Sequence, residues 1–148
     1  MQAHYLGHVV FYVRSLERSL AFYRDLLGFK EVGRIFNDTA AALTAGRTHH
    51  ELLLIEVGEA PAPPPGQRLG LYHIGIKVGD SLDELRAAKN ELEQAGVKIG
   101  GMSDHTVSQS LYLHDPDGNE VEVYVDADPA IWKNDPSAAV APIKPLRL

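Results

Sequence analysis

An internal repeat limits what this 148-residue chain can fold into more than any other feature. Two similar segments, LGHVVFYV at 6–13 and LYHIGIKV at 71–78, stand about 65 residues apart. Each half opens on a β-branched and aromatic run, 5–13 or 71–79, that reads as a strand. A serine suited to cap a helix follows, Ser15 or Ser81, and an amphipathic stretch begins there. Leu16, Leu20, Tyr23 and Leu27 share one helix face, with Gly28 as the stop. Leu82, Leu85, Leu92 and Ala95 repeat the arrangement before Gly96. Strand candidates then come at 29–36, 40–46 and 50–57 in the first half, and at 97–101, 107–114 and 119–126 in the second. The pattern is βαβββ written twice. It predicts an α+β fold in which two tandem modules form one curled, mostly antiparallel sheet. The two opening strands are expected side by side on its concave face, because the halves duplicate.

By size the chain is one domain, expected over 1–132, with module 1 at about 4–58 and module 2 at about 70–126. Between them APAPPPG, 60–66, cannot enter a sheet interior and reads as a stiff linker. Residues from Ala127 hold four prolines and little periodicity, so an extended C-terminal tail, 133–148, is expected to wrap the surface or fray. Composition removes several functions. A formal charge of −6 offers no basic face to nucleic acid or anionic lipid. The absence of cysteine excludes disulfides, zinc–thiolate sites and thiol nucleophiles, and fits the cytoplasm. No apolar run approaches the ~20 residues of a membrane span, and the N-terminus lacks the features of a signal peptide.

The chemistry concentrates on histidines and carboxylates. His8 and His73 occupy matching points in the repeated segments, and Glu122 lies in the strand after a tight turn, DPDG at 115–118. Two imidazoles and one carboxylate, with coordination positions left open, suit a non-haem Fe(II) centre, and Mn(II) accepts the same set. Alternation sorts each strand into two faces. Val121, Val123 and Val125 share one face of 119–126, expected under the helices; Glu120, Glu122 and Tyr124 share the other. Leu111 and Leu113 oppose Ser110, Tyr112 and His114 in the same way. The turn has proline second and glycine fourth, as a type I turn wants. With Gly118 left-handed it closes a three-residue loop, 116–118, which pairs 115 with 119 and therefore Tyr112 with Glu122. In 50–57 alternation groups His50, Leu52, Leu54 and Glu56, a set expected on the concave side; His8 goes with Leu6, Val10 and Tyr12, and His73 with Leu71, Gly75 and Lys77. His49 competes with His50, and parity alone cannot choose between them.

Over about residues 4–132 the chain resembles the vicinal oxygen chelate superfamily, and within it the catalytic half of type I extradiol ring-cleaving dioxygenases. DHTVSQSLYLHDPDGNEVEVY, 104–124, follows that family's signature, and HHELLL at 49–54 and LYHIGIKV after a proline-rich stretch also match. The resemblance implies His8, His73 and Glu122 as metal ligands, His50 as acid–base histidine, and Tyr112 as the tyrosine that binds the substrate hydroxyl. His105 aligns with an active-site histidine outside the ligand set, seven residues before Tyr112 and closer than in two-domain members. The implied reaction cleaves a catechol-type ring with O₂, in a protein expected to pair as a homodimer. A rival reading from the same superfamily is a glyoxalase-type isomerase or lyase, in which Glu56 would supply a fourth ligand to Ni(II) or Zn(II). A third is a non-catalytic protein that sequesters drugs, which needs no histidine triad. Phe36, Leu43 and Trp132 are candidates to line a substrate cleft.

Overall fold

Ser15 and Ser81 start their helices as expected. A computed structural model describes residues 1–148, in which Ser81 accepts from the Glu84 amide and donates to its carboxylate, which also accepts from the Asp80 amide at 2.9 Å. This reciprocal capping satisfies amides that the first helical turn leaves orphaned. The chain divides into two compact units, Met1–Pro63 and Pro64–Leu148.

In the first unit β1 (Val9–Val13) leads into α1 (Leu16–Leu20), which runs on as a π-helical segment, Ala21–Leu26. Strands β2 (Lys30–Ile35), β3 (Ala40–Thr44) and β4 (Leu52–Glu56) follow. The sheet order is β1-β4-β3-β2, with β1 parallel to β4 and the other pairs antiparallel. Its core gathers Phe11, Val13, Leu16, Leu20, Phe22, Tyr23, Leu43, Leu52 and Leu54. The single α-helix expected through Leu27 is replaced in its second half by the wider turn, where the Leu27 amide reaches Phe22 five residues back and both Phe22 and Tyr23 are buried.

The second unit comprises β5 (His73–Gly79), α2 (Leu82–Gln94), β6 (Gly101–Asp104), β7 (Ser108–His114) and β8 (Glu120–Asp126). A short helix α3 (Ala130–Asn134), a 3₁₀ segment (Pro136–Val140) and β9 (Lys144–Pro145) complete it. The order is β5-β8-β7-β6-β9, again with the opening strand parallel to its neighbour. Val121, Val123, Val125, Leu111 and Leu113 form the buried face against α2, whose Leu85 and Leu92 are buried too.

The α+β class and the two tandem βαβββ modules are as expected, and the details that follow need correction. There are two mixed sheets of four and five strands, not one curled sheet, with β1 at an edge of the first and β5 at an edge of the second. Residues 5–8 lie outside the β1 ladder. The strand expected over 97–101 begins only at Gly101, because the chain is still closing α2: Gly96 is left-handed and the Val97 amide bonds Leu92. The tail is not simply extended; it folds through α3 and adds β9 to the edge of β6, pairing Ser103 with Pro145 and Asp104 with Lys144.

Candidate active site

In the second unit the local sequence dictates the geometry. Asp115 donates its amide to the Asn119 carbonyl at 2.9 Å, Gly118 takes φ 88°, and its amide returns to the Asp115 carbonyl. The buried Asp115 carboxylate accepts from the Asp117 and Asn119 amides, at 2.9 and 2.8 Å, and from the Asn119 side chain. That three-residue loop fixes the register of β7 on β8, and Tyr112 stands opposite Glu122. The parallel ladder of β5 on β8 then sets His73 beside Glu120, Gly75 beside Glu122 and Lys77 beside Tyr124.

These registers bring four of the expected residues together. His73 Nε2 stands 3.3 Å from Glu122 Oε2, and Tyr112 donates its hydroxyl to Glu122 Oε1 at 3.3 Å. His105 Nε2 lies 2.6 Å from the Tyr112 hydroxyl oxygen. A phenol has one proton; with that proton on Glu122, His105 presents Nε2–H to the phenol oxygen. His105 reaches this position from the β6–β7 turn. There Thr106 takes a left-handed φ of 72°, its amide is held by the Asp104 carboxylate at 2.7 Å, and the His105 amide bonds the Ser108 carbonyl. Burial pushes the Tyr112 phenol up to about 12, with the Glu122 charge adding to the shift. The hydroxyl therefore remains a donor across the physiological range.

His73 and Glu122 suit a shared divalent cation. With its single proton on Nδ1, the imidazole presents a lone pair at Nε2 to the facing carboxylate oxygen, an arrangement that a shared cation would satisfy. Two ligands bound at ~2.0–2.2 Å at a right angle on one ion would lie ~3 Å apart, close to the 3.3 Å observed. Gly75 contributes room: a Cβ there would stand 3.5 Å from Glu122 Oε2 and 3.3 Å from the Tyr124 ring. No three His, Asp or Glu side chains are grouped so as to hold an ion. Of the expected triad, the His73–Glu122 pair stands together and His8 belongs to the first unit.

There His8 directly precedes β1, where the Val9 amide bonds the Glu51 carbonyl. Its ring lies 4.6 Å from that of His50, which in turn touches His49 with the two Nδ1 atoms 2.6 Å apart. His50, not His49, is thus the neighbour of His8. Burial, then the neighbouring His49 and His8, hold His50 below the ordinary imidazole range, so it is a neutral proton acceptor near pH 7. Glu51 organises the loop that carries both histidines. Burial pushes its carboxyl up, but hydrogen bonds from the Ala45, Arg47 and Thr48 amides and the Thr44 hydroxyl outweigh that and hold it low.

Glu56 does not share a polar concave face with His50. Its neighbours in parity, Leu52 and Leu54, are buried, and Glu56 Oε2 accepts from the Leu16 amide at 2.7 Å, at the start of α1. Alternation groups residues by face but does not say which face meets the helix; packing chose the leucines. An anionic side chain at a helix N-terminus is also favoured by the dipole. Of the three residues suggested for a cleft, Leu43 is fully buried in the core, while Phe36 and Trp132 are exposed. Glu51, Gly75 and Glu120 were given no role from sequence. For Glu120 and Gly75 the signal was present, because each shares a parity set with a candidate ligand.

Residues 5–123 match the Glyoxalase/Bleomycin resistance protein/Dioxygenase superfamily. The chain is 40% identical over 131 residues to a catechol-2,3-dioxygenase of Bacillus subtilis (strain 168), covering 88% of this chain and 45% of that protein. It is 31% identical over 126 residues to biphenyl-2,3-diol 1,2-dioxygenase 3 of Rhodococcus globerulus, covering 82% and 63%. The chain thus spans less than two thirds of either relative. A glyoxalase/dioxygenase from Nostoc punctiforme superposes with a TM-score of 0.72 at 18% identity, over 83% of this chain and 91% of that one, a likeness of fold.

Proposed function

The chain belongs to the Glyoxalase/Bleomycin resistance protein/Dioxygenase superfamily, and from that membership we propose that it is a metal-dependent extradiol dioxygenase that opens a catechol-type ring beside its two hydroxyls with O₂. One observation carries the reading. The Tyr112 hydroxyl, kept protonated, donates to the carboxylate whose other oxygen stands 3.3 Å from His73 Nε2. A donor beside a candidate ligand pair is what binding of an anionic diol oxygen asks for. His8, His73 and Glu122 would hold the ion, Fe(II) or Mn(II). Bound there, it supplies the positive charge that favours loss of a catechol proton and the redox chemistry that O₂ requires.

This chain's own residues supply the rest. Tyr112 turns its hydroxyl from Glu122 to the deprotonated diol oxygen and holds it by a charge-assisted hydrogen bond. His105, donating from Nε2 to the phenol oxygen, keeps that hydroxyl aimed forward. His50, neutral near pH 7, accepts a proton at an imidazole nitrogen and returns it when the ring opens. The relatives named as dioxygenases of catechol and of biphenyl-2,3-diol support an aromatic diol as substrate. Glu56, the fourth ligand of the isomerase reading, accepts from the Leu16 amide at the start of α1, which supports the dioxygenase reading over that one.

The test is anaerobic reconstitution with Fe(II), then addition of catechols and air, following O₂ uptake and the yellow ring-fission product. His8→Ala, His73→Ala and Glu122→Ala should each release the metal. Metal-loaded protein that consumes no O₂ with any of several catechols would overturn the proposal.

A further inference from the structure

Two buried polar atoms in the second unit have no hydrogen-bond partner, and they face each other. His73 Nδ1 and Glu120 Oε1 are 3.3 Å apart, brought abreast by the parallel pairing of β5 with β8. Each is costly to bury unpaired, and at 3.3 Å one can satisfy the other, while the Tyr72 hydroxyl hydrogen-bonds the same Glu120 carboxylate. On its other side the same imidazole turns Nε2 to Glu122 Oε2. If Nε2 is to offer a lone pair to a cation, the single proton of the neutral ring must sit on Nδ1, where Glu120 Oε1 is the acceptor at hand. We propose that Glu120 is the positioning residue of the metal site: it accepts the Nδ1 proton of His73, fixes the ring plane, and leaves Nε2 free to bind metal beside Glu122.

The assignment rests on the dioxygenase reading only in naming the metal-binding role. Glu120 and Glu122 stand two apart on one strand face, so the same backbone aims both carboxylates at one imidazole, each at a different nitrogen. Glu120 itself is not needed as a ligand. Its Oε1 lies on the Nδ1 side, away from the nitrogen that faces Glu122.

Two measurements on the full chain test this. The first binds Mn(II) to wild type, Glu120→Ala, Glu120→Gln and Glu122→Gln by calorimetry. The second reads the His73 tautomer in metal-free, ¹⁵N-histidine-labelled protein in mildly alkaline buffer, its signal assigned by loss in His73→Gln. Wild type should show the Nδ1–H form. Glu120→Ala should lose that preference and bind Mn(II) about 10–100-fold more weakly. Glu120→Gln keeps an amide oxygen that accepts from Nδ1–H, and should hold the tautomer and bind within a few-fold of wild type. Unchanged affinity and tautomer in Glu120→Ala would overturn the proposal. So would metal loss in Glu120→Gln as complete as in Glu122→Gln, which would make Glu120 a ligand. Failure of wild type to bind Mn(II) would count against the metal reading, while the tautomer spectrum would still decide the role of Glu120.

Discussion

Replacing Tyr112 by phenylalanine removes one oxygen and leaves the ring, so it isolates what the hydroxyl does. In the structure that oxygen makes one long donation, 3.3 Å to Glu122 Oε1, and sits 2.6 Å from His105 Nε2. A hydrogen bond to a charged group is worth roughly 1.5–3 kcal/mol at good geometry. At 3.3 Å, in a half-buried place, about 1 kcal/mol is the reasonable figure for folding. For a domain of this size that is a fall of roughly 2–4 °C in Tm. If the same hydroxyl grips the substrate anion as the ring opens, the rate should fall by about 10²–10⁴, or roughly 2.7–5.5 kcal/mol of barrier. The barrier effect should therefore exceed the stability effect severalfold. Oxygen uptake across a catechol concentration series, metal content by elemental analysis and thermal melts read the three quantities together. The variant should also lose an alkaline signature. The folded phenol titrates near 12 against an ordinary 10, so the unfolded chain gives up its proton first; this stabilisation is full below about pH 10 and lost as pH rises toward 12. Phenylalanine cannot show that loss. A Tyr112→Phe protein that opens catechols at the wild-type rate, or that no longer retains metal, would refute the assigned role.

Other perturbations probe the frame around the site. His50 titrates below the ordinary 6.5 because of burial and its histidine neighbours. Stability linked to it should be present above about pH 6.5 and lost as pH falls, and His50→Gln should flatten that part of an unfolding-versus-pH profile. Asp115 is 5% exposed and accepts three hydrogen bonds in the β7–β8 loop. Asp115→Ala should cost about 2–3 kcal/mol in denaturant titration, and a change below half of that would show the loop to be held otherwise. A Cβ at Gly79 would fall 2.7 Å from Glu84 Cδ and 2.8 Å from its Cβ. Gly79→Ala should therefore dislodge the capping carboxylate of α2, lowering stability by about 1–2 kcal/mol while leaving metal content intact.

Much of the candidate site was legible because its determinants are local. Pro116 and Gly118 specify the loop, the loop specifies the register, and the register places Tyr112 opposite Glu122. The valines at 121, 123 and 125 told which face of β8 packs, and so which face Glu122 takes. Ser81 and Glu84 announced the start of α2, and Gly96 its end. Where the sequence alternates two plausible sets, it misled. In 50–57 the leucines at 52 and 54 share parity with Glu56, and only packing against α1 showed that set to be the buried one.

By itself, then, the sequence displayed the repeat of its opening segments and determined the helix caps and the hairpin register, which depend on neighbours a few positions apart. Tertiary structure decided what no local pattern encodes. It split the strands into two sheets, put a π-helical turn after Leu20, recruited Lys144 and Pro145 as an edge strand on β6, and paired His73 with Glu120 across 47 residues of chain. Those outcomes follow from which surfaces bury one another, a competition settled between segments distant in sequence.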